Sequence, residues 1–177
     1  FNVKNPHGYL ENPGDFFTNP RCIKEAKQYL RYITARYGYS RNIFTWELFN
    51  EVNFTDGDPD DIRAWHHEMT EFLRKTDAHP HMVTTSSSVN RYPLIFDYIN
   101  MHRYGDPGNV KMIAHEAYLA FHDFDRPIMM EESGYDAYHP FTHYVARHCQ
   151  LWAGLMANTP ATAMEWFWEE WDLYTNG

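Results

Sequence analysis

The stretch FTWELFNEVN, Phe44 to Asn53, closes an otherwise apolar run with Asn50 and Glu51, and RPIMMEESG closes another with Glu131 and Glu132. A packed strand has no structural need for such groups. Two carboxylates at the ends of separate parallel strands, facing one pocket, suit displacement at an acetal carbon: one protonates the leaving oxygen and the other attacks the carbon. The acid must hold its proton near neutral pH, which poor solvation or an ionised neighbour favours. Successive strand side chains point to opposite faces, so alternation admits at most one of Glu131 and Glu132 to a pocket. Glu132, beside Ser133 and Gly134, is the better placed. Glu47 and Glu51 share strand parity, but Glu51 lies at the strand end beside Asn50, whereas Glu47 lies within the strand and reads as the buried partner of an arginine.

These groups need strands to carry them, and the chain supplies strands alternating with helices. Thr18 is the expected N-cap of a helix through Tyr37, closed by Gly38 where a left-handed residue ends many helices. NIFTWELF reads as a buried strand. Asp58 and Pro59 start a second helix with an apolar face at Ile62, Trp65, Met69, Phe72 and Leu73. Strands follow at HMVTTSS, YINMHRY, RPIMMEES and ATAMEWFW, with further helices expected from Pro107, carrying Val110, Ile113, Ala117 and Phe121, and from about Pro140 to Asn158. This alternation implies an α/β fold of parallel strands joined by right-handed crossovers. In such units, chemistry sits at the C-terminal strand ends. The five ends carry Asn50 and Glu51, Ser86 to Ser88, His102 and Tyr104, Glu132 and Ser133, and Trp166 and Trp168.

Composition narrows the ligand. The 177 residues, 44% of them hydrophobic, suffice for one core, so a single domain over residues 1–177 is expected. A formal charge of −9 argues against nucleic acid or an anionic membrane as partner and suits a neutral or polar ligand. No apolar run is long enough to span a bilayer, and no signal peptide is evident at the abrupt start, FNVKNPHGY, which suggests a processed or truncated terminus. The six Trp and thirteen Tyr exceed what such a core requires, and surplus rings often line sugar sites. Cys22 and Cys149 read as reduced helix residues. His66, His67, His79, His81, His115 and His122 follow no metal-ligand spacing. The run DGDPDD, Asp56 to Asp61, lacks the bidentate glutamate of a calcium loop and is explained by helix capping. No metal or cofactor is expected.

WELFNEVN, INMHRYG, PIMMEESG and TAMEWFW occur in the order and spacing of clan A glycoside hydrolases, and from about Asp15 to Asp172 the sequence resembles glycoside hydrolase family 5, cellulase- and mannanase-like. Those enzymes are retaining (β/α)8 TIM barrels acting on β-linked sugars. The resemblance implies that the chain is strands four to eight of such a barrel. It implies further that Glu51 is the acid/base, that Asn50 bonds the sugar 2-hydroxyl, and that Glu132 is the nucleophile. His102 and Tyr104 match a sixth-strand pair near the nucleophile, and Trp166 or Trp168 an aromatic platform. The substrate would be a polysaccharide or oligosaccharide, and the full-length form secreted or periplasmic.

A whole barrel takes about 250 residues, so strands one to three are missing, with an arginine and a histidine that the family places near the nucleophile and the sugar. The expected partner is therefore an N-terminal barrel half or a second copy covering the open strand edges. The Glu51 and Glu132 carboxyls are expected about 5 Å apart, the retaining spacing, against about 9 Å for inversion. The rival reading is an incomplete half-barrel that binds carbohydrate or self-associates without turnover.

Overall fold

The structure, a computed structural model, describes residues 5–87, 95–104, 115, 118, 126–134, 148–149 and 151–157. Two compact units divide the chain: Phe1–Thr85 with Leu94–Asp97, and Ser86–Pro93 with Tyr98–Gly177. The expected last strand, with Trp166 and Trp168, and most of the helices from Pro107 and Pro140 lie outside the described residues, although 151–156 is helical as expected.

In the first unit, helix α1 spans Pro20–Tyr37. Its N-cap is Asn19, one residue beyond the expected Thr18, and the Asn19 carboxamide oxygen accepts from the N–H groups of Arg21 and Cys22 at 2.9 and 3.4 Å. Pro20 has no N–H and occupies the first helical position at no loss, which sets the boundary. Gly38 ends the helix at φ −61°, not in the left-handed region. Crowding explains the glycine instead: a Cβ would lie 2.5 Å from Thr34 O and 2.8 Å from Asp77 Oδ1.

Helix α2, Pro59–Thr76, starts as its sequence suggests, with Asp58 Oδ1 accepting from Asp60 N at 2.8 Å and Asp60 and Asp61 in the first turn, where the helix dipole favours negative charge. Ile62, Trp65, Met69 and Leu73 are buried on one face, and His66 and Thr70 widen it. Trp65 meets Phe16 and Phe17 at ring-centroid distances of 5.4 and 5.7 Å, and Phe49 at 6.2 Å. Strands β1, Thr45–Glu47, and β2, Met82–Thr84, flank α2 in sequence and pair in parallel, Trp46 opposite Val83. Both are far shorter than the stretches expected to form them. Beyond Glu47 the chain keeps one ladder-like bond, Leu48 N to Thr84 O at 2.9 Å, and then turns.

The end of α2 is tied to β1 by a charge cluster. Asp77 Oδ2 accepts from Trp46 Nε1 at 2.8 Å and from His81 Nδ1 at 2.7 Å, while His81 Nε2 donates to Ser40 O at 3.1 Å. With hydrogens on both ring nitrogens, His81 is an imidazolium, and its hydrogen bond to Asp77 raises its pKa above 6.5. Burial works to raise the Asp77 pKa, but the bonds from Trp46, His81 and the His79 backbone outweigh it and the net shift is downward from 3.8. His81 therefore stabilises the fold below about pH 6.5, an effect lost as pH rises through its folded value. Asp77 does so above about pH 3.8, an effect lost as pH falls through its lowered value. Thermal melts should thus show a Tm maximum between these limits. Asp77→Asn should cost about 2 kcal/mol there and flatten the decline on the alkaline side. An unchanged alkaline decline in the variant would exclude the pair as its cause.

In the second unit, β3, Ile99–Tyr104, and β4, Ile128–Gly134, pair in parallel. Ile99, Met101 and Ile128 form a buried cluster with Ala157 packed against it. The register runs Met101 opposite Met130 and then His102 opposite Glu132, so Glu131 is an extra residue in β4, a bulge.

Candidate active site

Alternation along β3 puts Tyr98, Asn100, His102 and Tyr104 on the face opposite Ile99 and Met101. Two carboxylates meet that face. Glu131 accepts from Tyr98 Oη at 2.6 Å and from Asn100 Nδ2 at 2.6 Å. Glu132 Oε2 accepts from Tyr104 Oη at 2.6 Å and lies 3.3 Å from His102 Nδ1. Plain alternation would have sent Glu131 and Glu132 to opposite faces, and the bulge removes that restriction by inserting one residue between the two phases of β4. The bond from Tyr104 comes from a residue that matches the sixth-strand pair near the nucleophile. It fixes the carboxylate in one orientation beside an imidazole that is 3% exposed. This carboxylate, oriented and only partly buried, has the makings of a nucleophile or an anionic ligand.

In the first unit, Asn50 is exposed and Glu51 half-buried just past β1. Glu51 has φ 51° and ψ 49°, and among the described residues it alone has positive φ without being glycine. That conformation costs on the order of 1–2 kcal/mol for an L-residue. Strain of this kind concentrates at working sites. The turn is held by Phe54 N to Glu51 O at 3.0 Å and Thr55 Oγ1 to Val52 O at 2.7 Å, with Val52 fully buried beneath. Glu47 is exposed rather than buried as expected: β1 ends at this residue, so no longer ladder encloses its side chain.

Sequence reasoning missed Tyr98 and Asn100, which alternation in β3 puts on this face, and also His66 and Thr85, and it set aside Glu131, which the bulge brings to the Glu132 face. Thr85 Oγ1 donates to Phe49 O at 2.8 Å and lies 3.1 Å from His66 Nε2. The missed signal was His66 on the apolar stripe of α2, one residue after Trp65. Among the described residues, Ser86 makes a parallel bridge to Asn100, and the described part of the second strand end carries no further acid.

At the C-terminal ends of the parallel strands β3 and β4 a tyrosine holds a glutamate beside a histidine, and the known proteins this chain is similar to are glycosidases. A probable mannan endo-1,4-beta-mannosidase A of Aspergillus clavatus is 26% identical over 92% of this chain and 51% of its own length. The mannan endo-1,4-beta-mannosidase A of Aspergillus aculeatus is 23% identical, covering 88% of this chain and 47% of that protein. The chain thus spans about half the length of the curated relatives it matches. Among solved structures, a β-glucuronidase from Ruminococcus gnavus in complex with uronic deoxynojirimycin superposes with a TM-score of 0.67 at 15% identity, over 84% of this chain and 30% of that one. A β-glucuronidase of an uncultured Clostridium sp. gives 0.62 at 16% identity, over 82% and 28%. No protein-family model matches the chain. The resemblance to family 5-like glycoside hydrolases of clan A holds, and the fold is similar to part of the TIM barrels of those solved structures.

Proposed function

We infer that the chain is the C-terminal portion, strands four to eight, of a retaining glycoside hydrolase that cleaves a β-linked glycan. Glu132 is its nucleophile, Glu51 its acid/base, and Asn50 the partner of the sugar 2-hydroxyl. The observation that carries this reading is Glu132 at the end of a parallel strand, fixed by the Tyr104 hydroxyl beside His102. An attacking carboxylate has to be aimed before substrate arrives, because orientation supplies much of the acceleration. Strands one to three, with the family's arginine and histidine, come from the remaining half of a protein as long as the relatives. Trp166 or Trp168 serves as the aromatic platform.

The relatives' names put β-1,4-mannan first among substrates, and the net charge of −9 favours a neutral glycan over a uronate. The natural full-length protein should therefore release reducing sugar from β-1,4-mannan and phenol from an aryl β-mannoside, with the β-anomer appearing first by proton NMR. Initial α-anomer would show inversion and overturn the double-displacement roles. Mannan binding without release from any aryl β-glycoside would replace this reading with that of a binding half-barrel.

A further inference from the structure

His66 is fully buried in α2, and the partners of its two ring nitrogens dictate where its hydrogen sits. Nδ1 lies 2.8 Å from Ile62 O, and a carbonyl oxygen only accepts, so Nδ1 carries a hydrogen. Burial pushes the ring pKa down to about 4, so near pH 7 the ring is neutral and Nε2 is a bare acceptor. Nε2 faces Thr85 Oγ1 at 3.1 Å, and the same hydroxyl lies 2.8 Å from Phe49 O. One hydroxyl hydrogen thus serves two acceptors, an imidazole nitrogen and a main-chain carbonyl. The Phe49 carbonyl belongs to the peptide that leads into Asn50 and the left-handed Glu51, so whatever orients it orients the start of that turn.

We propose that His66 and Thr85 are positioning residues for Glu51: the Nδ1–H form of His66 presents its Nε2 lone pair to Thr85, whose hydroxyl then ties α2 and the end of β2 to the peptide before Asn50. Thr85 suits the task because its β-branch restricts χ1 and keeps the hydroxyl between its two acceptors. Neither residue touches a reacting atom. The pair acts by holding the strained left-handed backbone at Glu51 in place, and its catalytic consequence rests on the acid/base reading of Glu51.

Imidazole nitrogen-15 shifts in the full-length protein at pH 7 should show His66 protonated at Nδ1 and bare at Nε2. The Nε2–H tautomer, or an imidazolium, would overturn the arrangement. Thr85→Val keeps the shape and removes the hydroxyl. It should speed amide exchange at Phe54, whose N–H donates to Glu51 O. It should also lower kcat by about ten- to a hundredfold for glycosides with poor leaving groups, while a dinitrophenyl glycoside, which needs little protonation, changes by less than about twofold. Thr85→Ser should restore both readings. Equal losses on both substrates would mark a general packing defect and overturn the proposal, as would unchanged exchange at Phe54. If the wild-type protein hydrolyses neither substrate, the acid/base reading of Glu51 falls. The tautomer and the exchange at Phe54 then decide the clamp by themselves.

Discussion

Glu132→Ala in the full-length protein is expected to abolish turnover of ordinary substrates, a loss of at least about four orders of magnitude. Azide or formate should restore part of it. The small anion enters the space the carboxylate vacated and attacks the anomeric carbon from the same side. The carbon–nitrogen bond forms as the bond to the leaving oxygen breaks, and Glu51 delivers its proton to that oxygen. The rescued product is a glycosyl azide of inverted configuration. Tyr104, which donates to Glu132 at 2.6 Å, and His102 remain to line the vacated space.

Glu51→Ala should fail differently. Removal of a general acid costs about 10²- to 10⁴-fold where the leaving group needs a proton, so mannan hydrolysis should collapse. A dinitrophenyl glycoside should still load the enzyme, because its leaving group departs unprotonated. Water then reacts slowly without a base, and azide, which needs none, should attack the glycosyl-enzyme and give a product of retained configuration. Proton NMR of the two azide products decides the assignment. The same configuration from both variants, or full activity in either, would overturn the roles.

Local chemistry made parts of this molecule legible. The apolar spacing of α2 and its Asp58 cap appear where the sequence places them, because both depend on neighbours within one or two turns. The parallel pairing of β1 with β2 and of β3 with β4 followed from helix and strand alternation. Strand lengths did not. NIFTWELF is rich in apolar residues, yet only Thr45–Glu47 joins a ladder, since apolar content records burial and not hydrogen bonding. The left-handed Glu51 was equally hidden, because tertiary restraints impose a conformation that local preference opposes. For His66 the sequence offered only that it follows no metal-ligand spacing. Only the positions of Ile62 O and Thr85 Oγ1, one on its own helix and one beyond a strand, reveal its second role.

The extra residue in β4 makes the strand a splice between two reading frames. Up to Met130, odd-numbered and even-numbered positions are committed to opposite sides in one phase, and from Glu132 onward in the other. A strand without the insertion offers its pocket one acid per two residues, and any change of acid means a change of face. With it, two neighbouring codons supply carboxylates to the same side, one braced by Tyr98 and Asn100 and the other by Tyr104. A deletion at either codon would leave a glutamate at that point of the chain and yet remove the insertion, rephasing Ser133 and Gly134. Substitution and deletion at one position would then have unlike consequences, the first silencing a side chain and the second rewriting which side the rest of the strand faces.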